Sequence, residues 1–170
     1  MEESSTSIKA RTGHENNVSH SEGDHMKPNA SDTSAVIAVL QKAPLWSSLS
    51  EKELKVVARS FKELKYESGH VIVRKGEQGV GFYLIADGSV EVRSGDQVLS
   101  KLGQGEYFGE MSLLDGQPRT ADVVTLEPSR CLVLSAWSFK GIISAQPKMA
   151  LKLLQESVRR LNMNAQTLRQ

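Results

Sequence analysis

Two different spacings of apolar residues divide this chain. Leu54, Val57, Ala58, Phe61 and Leu64 recur at the three- and four-residue steps of a helix face. Just upstream, Ser50-x-x-Glu53 has the form of a capping box, with Leu49 and Leu54 placed as its hydrophobic staple. Together they predict a helix from about residue 51 to 63. Val36, Ile37, Val39 and Leu40 predict a short helix before it, stopped ahead of Pro44. After Glu67 the step changes. Val71-Ile72-Val73, Phe82-Tyr83-Leu84-Ile85, Val90-Glu91-Val92, Val98-Leu99, Val123-Val124 and Cys131 to Leu134 are short apolar runs. Glycine-bearing turn sequences separate most of them, at Glu67-Ser68-Gly69, Lys75-Gly76-Glu77, Asp87-Gly88, Ser94-Gly95-Asp96 and Gly103-Gln104-Gly105. Short strands at such regular intervals predict an antiparallel sandwich or barrel and not βαβ units.

The helical spacing returns at the end. Trp137 to Ile143 fit a short helix, and a longer one starts near Pro147, a residue suited to a first turn. In that helix Leu151, Leu154, Val158, Leu161, Ala165 and Leu168 follow steps of 3, 4, 3, 4 and 3, an a/d seam. The stripe either packs on its own β-domain or pairs with the same helix of a second chain. The predicted fold class is therefore mainly β with flanking helices. An antiparallel β-roll of jelly-roll type occupies about 64–135, with helices before it and C-terminal helices over about 137–168.

Residues 1–33 stand apart. Met1, Ile8, Ala10, Val18, Met26 and Ala30 are their only hydrophobic residues, and no aromatic ring occurs among them. Such a stretch buries too little apolar surface to offset its ordering entropy. It is expected to be a disordered polar tail, with residues 34–170 as the folded domain. Three of the four histidines, His14, His20 and His25, fall in this tail, where no folded frame would converge them on a metal.

Composition narrows the function classes. Lys+Arg is 21 and Asp+Glu 20, a net charge of +1, which argues against nucleic acid as a partner. Cys131 alone gives neither a disulfide framework nor a cysteine-rich zinc site. The chain has no apolar run of membrane-spanning length and its start lacks the apolar core of a secretory signal. A cytoplasmic, non-membrane protein is expected. No Ser/His/Asp order, paired acids or metal spacing stands out, and the Walker pattern is absent, so no catalytic residue, metal or cofactor is assigned and an enzyme is not expected.

The candidate chemistry lies in Phe108-Gly109-Glu110-Met111-Ser112-Leu113-Leu114-Asp115-Gly116-Gln117-Pro118-Arg119-Thr120-Ala121-Asp122-Val123. Gly109 allows an unusual turn and close approach by a ligand. Glu110 to Leu114 can form one or two helical turns whose free N–H groups suit an anion. The planar fork of Arg119, fixed after Pro118, suits phosphate oxygens, and Thr120 adds a hydroxyl. A carboxylate at Glu110 would accept from a sugar hydroxyl. Each residue alone reads first as an ordinary turn, a first-turn acid or a surface charge. As one ordered string between strands they describe a pocket for a phosphorylated sugar.

This string resembles the phosphate-binding cassette of the cyclic-nucleotide-binding domain family, whose members include kinase regulatory subunits, cyclic-nucleotide-gated channels and catabolite-activator-type regulators. The resemblance extends through Val71–Glu77 and Phe82–Val92 and covers about residues 36–162. It implies that Arg119 holds the cyclic phosphate, aided by backbone N–H groups around Gly109 to Met111 and at Ala121. Phe108 and Ser112 belong to the same cassette. Glu110 would accept from the ribose 2′-OH, Thr120 would touch the phosphate and reach the base, and Val92 and Met111 would wall the purine. A lid arginine from the C-terminal helix matches Arg160, with Arg159 as the alternative. Asp122 departs from the family's small residue; strand alternation turns it away from Arg119 and Ala121.

The resemblance implies a sensor that binds a 3′,5′-cyclic nucleotide, cAMP favoured and cGMP plausible, and shifts its C-terminal helix. The helix at 148–168 would carry the signal to a downstream protein or a homodimer partner. Catabolite-activator-type members carry a helix-turn-helix after the lid helix; this sequence stops at Gln170, so either that module is missing or the sequence is a fragment. The rival reading is a degenerate domain serving as a dimerisation or interaction scaffold without nucleotide.

Overall fold

In the computed structural model, residues 30–170 are described. The polar segment 1–29, including His14, His20 and His25, lies outside the described residues. The first helix, α1, runs Ala30–Lys42 and so takes in the last four residues of the expected tail. A 3-10 turn at Pro44–Trp46 and helix α2, Glu51–Ala58, follow. The capping box of α2 is formed: Glu53 N–H donates to Ser50 Oγ at 3.3 Å and Ser50 N–H donates to Glu53 Oε2 at 2.7 Å.

α2 is shorter than its apolar spacing predicts. The helix stops at Ala58 and the chain becomes strand β1, Lys62–Tyr66. Phe61 is buried and meets the edge of Trp46 at 5.4 Å, while Leu64, counted with the helix face, sits 44% exposed in the strand opposite Cys131. Pairing of β1 with the last strand supplies backbone hydrogen bonds that a further helical turn would forgo. Long-range pairing, invisible to local spacing, overrides the helical period here.

The remaining strands are β2 Val71–Val73, β3 Gly81–Asp87, β4 Val90–Ser94, β5 Gln97–Leu102, β6 Tyr107–Phe108, β7 Asp122–Thr125 and β8 Ser129–Ser135. They form two four-stranded antiparallel sheets, ordered β1-β8-β3-β6 and β2-β7-β4-β5. The fold class is as the sequence predicts; β1 and the two-residue β6 are additions to it. Between β6 and β7 lies the short helix α3, Glu110–Asp115. Helices α4, Ala136–Ala145, and α5, Pro147–Leu168, complete the chain.

Two cores hold these layers. One fills the space between the sheets with Val73, Ile85, Val90, Leu102, Phe108, Val123 and Cys131. Burial pushes the Cys131 thiol up to about 12, leaving it a packing residue. The larger core joins the helices to the outer face of β3 and β8 and centres on Phe82, which is fully buried. Phe82 stacks on Phe139 at 4.8 Å, lies 5.3 Å from Tyr107 and meets Trp46 at 6.0 Å.

The structure settles which face of α5 packs on the domain. Met149, Leu153 and Ser157 are buried against it, and Lys152 Nζ donates to Ser47 Oγ at 2.7 Å. The a/d seam is not that face. Leu151, Leu154, Val158, Leu161 and Leu168 are between 49% and 59% exposed. Among the described residues no helix is long and apolar enough to cross a membrane.

Phe82→Ala removes the ring shared by the helices and the first sheet. It is expected to lower stability by about 3–5 kcal/mol in urea unfolding.

Candidate functional site

The site begins with a backbone that only glycine tolerates well. Gly109 sits between β6 and α3 at φ 93°, in the left-handed region. A Cβ there would lie 2.8 Å from the Gly81 carbonyl oxygen and 2.9 Å from Arg119 Nη1. Gly79 is bare for a similar reason: its Cβ would meet Ser112 Cβ at 2.6 Å and Arg119 Cζ at 3.2 Å. These glycines make room for one side chain. Arg119 Nη1 donates to Gly109 O at 2.6 Å and Nη2 donates to Gly81 O at 2.7 Å. Its backbone is fixed as well, with Arg119 N–H donating to Glu77 O and Gly76 N–H donating to Arg119 O, both at 2.8 Å.

Arg119 is 6% exposed. A guanidinium carries five N–H donors, so two carbonyls leave part of the fork open. Burial draws its pKa down from the ordinary arginine range, opposed by Tyr83 and Glu110. Tyr83 stacks on Phe108 at 4.9 Å, with the rings 2° from parallel, and forms a rigid wall beside this arginine.

Glu110, the first residue of α3, is 2% exposed. Burial pushes its carboxyl up, opposed first by the charge of Arg160. Arg160 Nη1 lies 3.3 Å from Glu110 Oε1 and donates to Tyr107 O at 2.6 Å. Its guanidinium carbon stands 4.4 Å from the Tyr107 ring centroid, and Nε donates to Glu156 Oε1 at 3.1 Å. Arg159 points instead to the rim, where its Nη2 donates to Glu156 Oε1 at 2.6 Å. Of the two candidate lid arginines, Arg160 is the one that meets the carboxylate.

These groups line one cavity of about 270 Å³. All the residues selected from sequence border it: Val92, Phe108, Gly109, Glu110, Met111, Ser112, Arg119, Thr120, Ala121 and Arg160. Arg119 and Glu110 are charged groups in its lining, and Val73, Val92, Leu102, Met111 and Val123 give it apolar walls. Asp122 is not among the lining residues; its Oδ1 accepts from Lys75 N–H at 2.7 Å, on the opposite face of β7. The alternation argument for Asp122 therefore agrees with the structure.

Sequence reading missed several lining residues. Val73, Leu102 and Val123 share the inward face of the second sheet, and Ser100 and Lys101 border the same opening. The strand period could have found Val73 and Val123, but their convergence on Gly109 needs the pairing of β2, β7 and β4. Met163 and Asn164 of α5 also line the cavity. Asn164 lies one turn beyond Arg160, a spacing that could have suggested it. Among the described residues no group of three or more His, Cys, Asp or Glu could hold a metal ion.

Comparison with known proteins gives a consistent picture. Residues 63–146 match the family model of the cyclic nucleotide-binding domain. The chain is 43% identical over 105 residues to a cAMP-dependent protein kinase regulatory subunit of Debaryomyces hansenii, covering 61% of this chain and 23% of that one. It is 35% identical over 107 residues to a cGMP-dependent protein kinase of Plasmodium berghei, covering 62% of this chain. It spans only 12% of that kinase and 9% of the related Toxoplasma gondii enzyme. Among solved structures, the catabolite activator protein of Thermus thermophilus superposes with a TM-score of 0.65 at 34% identity, over 74% of this chain and 62% of that one. A second, described as Sp-2Cl-cAMPS bound to PKAR CBD2, gives 0.70 at 24% identity, over 79% and 92%, a likeness of fold. With the matched residues supplying both sheets and the glycine-cradled Arg119, this chain belongs to the cyclic nucleotide-binding domain family.

Proposed function

We propose that this chain is a cytoplasmic, non-catalytic receptor module for a 3′,5′-cyclic nucleotide, preferring cAMP and accepting cGMP. The observation that carries the reading is the buried Arg119 fork facing the same cavity as the buried Glu110 carboxylate. A phosphate needs a cation and N–H donors, and a ribose needs an acceptor. In this reading the cyclic phosphate sits on the open part of the Arg119 fork and on the backbone N–H groups entering α3, with Thr120 and Ala121 beside it. Glu110 accepts from the 2′-OH; a carboxylate has about four lone-pair positions, so Arg160 leaves it room. Val92 and Met111 face the purine, and Phe108 and Ser112 hold the cassette in shape. The hydroxyl of Thr120 allows guanine as well as adenine.

The output follows from Arg160. It ties α5 to the carboxylate the sugar would use. A ligand on Glu110 therefore has a different affinity for the state with Arg160 engaged and the state without it. That difference is the only means by which it shifts the helix. When Arg160 leaves, Glu110 loses the cation that offsets its burial, whereas Arg160 keeps Glu156, so the link between the two events runs through the buried carboxylate.

The receiving partner we propose is a second copy of this chain, joined along the exposed seam of α5. Leu151, Leu154, Val158, Leu161, Ala165 and Leu168 repeat at coiled-coil steps and carry no charge. Of the flanking positions, Ala150, Gln155, Ser157, Asn162 and Asn164 are uncharged and only Arg169, at the end of the seam, carries a charge, so two such stripes meet with little like-charge repulsion.

Calorimetric titration tests the receptor. The chain is expected to bind cAMP at micromolar or tighter affinity, with cGMP weaker. Arg119→Ala is expected to lose about 1.5–3 kcal/mol, roughly 10- to 150-fold. No heat with either nucleotide at millimolar concentration would overturn the reading in favour of a scaffold. Hydrogen exchange tests the switch: cAMP is expected to slow amide exchange along α5, and Arg160→Ala to abolish that slowing while binding persists at reduced affinity. For the dimer, sedimentation is expected to give twice the chain mass, and Leu154→Glu with Leu161→Glu to return the monomer.

A further inference from the structure

A second cavity, of about 450 Å³, opens between the 3-10 turn, the turn joining β5 to β6, and α5 from Lys152 to Arg160. It is larger than the cavity that holds Arg119 and falls in the size range of small-molecule sites, about 300–1,000 Å³. Its walls are mostly apolar, with Pro44, Leu45 and Tyr107 among them.

Tyr107 and Lys152 stand out in this lining. Tyr107 is 6% exposed, and its hydroxyl has no hydrogen-bond partner among the described residues. Burial pushes its pKa up, opposed first by Arg160, so the hydroxyl keeps its proton and stays a donor. A buried donor without an acceptor costs free energy. Lys152 is half-buried, and its ammonium donates to Ser47 Oγ at 2.7 Å and to Pro44 O at 3.4 Å. Both acceptors are neutral, no carboxylate pairs with Lys152 among the described residues, and an ammonium has a further donor to give. The acids of the lining are already engaged. Glu156 accepts from Arg159 and Arg160, and Glu106 Oε2 accepts from the Gly103 N–H at 2.8 Å. The groups left over are therefore donors. What meets them is an acceptor, and the ammonium favours one that carries negative charge.

The geometry points to this cavity as a second ligand site, for a small amphipathic carboxylate. Its apolar body lies between the 3-10 turn and α5, and its carboxylate accepts from Lys152 and from the Tyr107 hydroxyl. The site uses neither Arg119 nor Glu110, so it goes beyond the nucleotide reading and does not depend on it. The two cavities share Glu106, Arg159 and Arg160. An occupant of the second therefore contacts the same stretch of α5 that borders the first.

Decanoate is the probe, with 1-decanol as the same chain without the charge. In an NMR titration of the full chain, decanoate is expected to shift the amide signals of Gly105, Tyr107 and Gln155 to saturation, and 1-decanol to bind several-fold more weakly. Tyr107→Phe removes only the hydroxyl and keeps the ring beside Phe82 and Arg160. It is expected to weaken decanoate roughly tenfold with no loss of stability in urea, because the hydroxyl is unpaired without ligand; a purely structural hydroxyl would give the reverse. Lys152→Met keeps the apolar stem and is expected to lower decanoate affinity to that of 1-decanol. Shifts confined to Met111, Thr120 and Ala121 would put the probe in the nucleotide cavity, and shifts confined to Leu154, Val158 and Leu161 would put it on the seam; either overturns the assignment. So does the absence of any shift, equal binding of 1-decanol, or unchanged decanoate affinity in both variants. A chain that binds decanoate here and no cyclic nucleotide would retain this site while losing the receptor reading.

Discussion

A buried guanidinium has to be answered by hydrogen bonds, and much of this structure follows from how Arg119 is answered. Leaving such a charge without partners costs far more than a domain's net stability can absorb. The fold resolves the problem with backbone. Gly81 and Gly109 bring their carbonyls to the fork, and the missing Cβ atoms of Gly109 and Gly79 leave the space the guanidinium occupies. Those three glycines come from the approach to β3 and from the entrance of α3, so one side chain joins the first sheet to the cassette. Tyr83 and Phe108, stacked across β3 and β6, keep that junction rigid. The arginine is therefore oriented before any ligand arrives, with part of its fork open to the cavity.

A second ionic contact links this preset floor to a separable roof. Helix α5 rests on the domain through Met149 and Leu153, which are apolar, and through Arg160, which is not. The apolar contacts tolerate small slides, since burial is nondirectional. The pair between Arg160 and Glu110 does not, because the buried carboxylate has Arg160 as its ion-pair partner and the contact is directional. Arg160 thus ties the helix to the carboxylate of the cavity, while Lys152 on Ser47 and Gln97 on the Thr167 carbonyl fasten it elsewhere along its length. The seam of α5, exposed on a different face, is free to report where the helix goes.

The strand pattern and cassette were legible in the chain because both are local. Six of the eight strands stand out as short apolar runs between glycine turns, and the capping box of α2 forms as its spacing predicts. The misreadings share one cause. β1 was hidden inside a helical period because its pairing partner, β8, lies more than sixty residues away. β6 is two residues long and has no period to show. Which face of α5 meets the domain was undetermined because the helix has two candidate faces, Met149–Leu153–Ser157 and the leucine seam, and spacing does not rank them.

What the sequence determined by itself was the alternation of elements and the chemistry of one ordered string, from Phe108 to Val123. Those depend on residue type, local propensity and neighbours within a few positions. The tertiary structure decided which groups meet. It put Gly81 against Arg119 across 38 residues and Arg160 against Glu110 across 50, and it brought Asn164 over a cavity formed by strands far earlier in the chain. Such encounters are set by sheet order and helix docking. Those in turn depend on the sum of many burial contacts, and no single segment of sequence contains that sum.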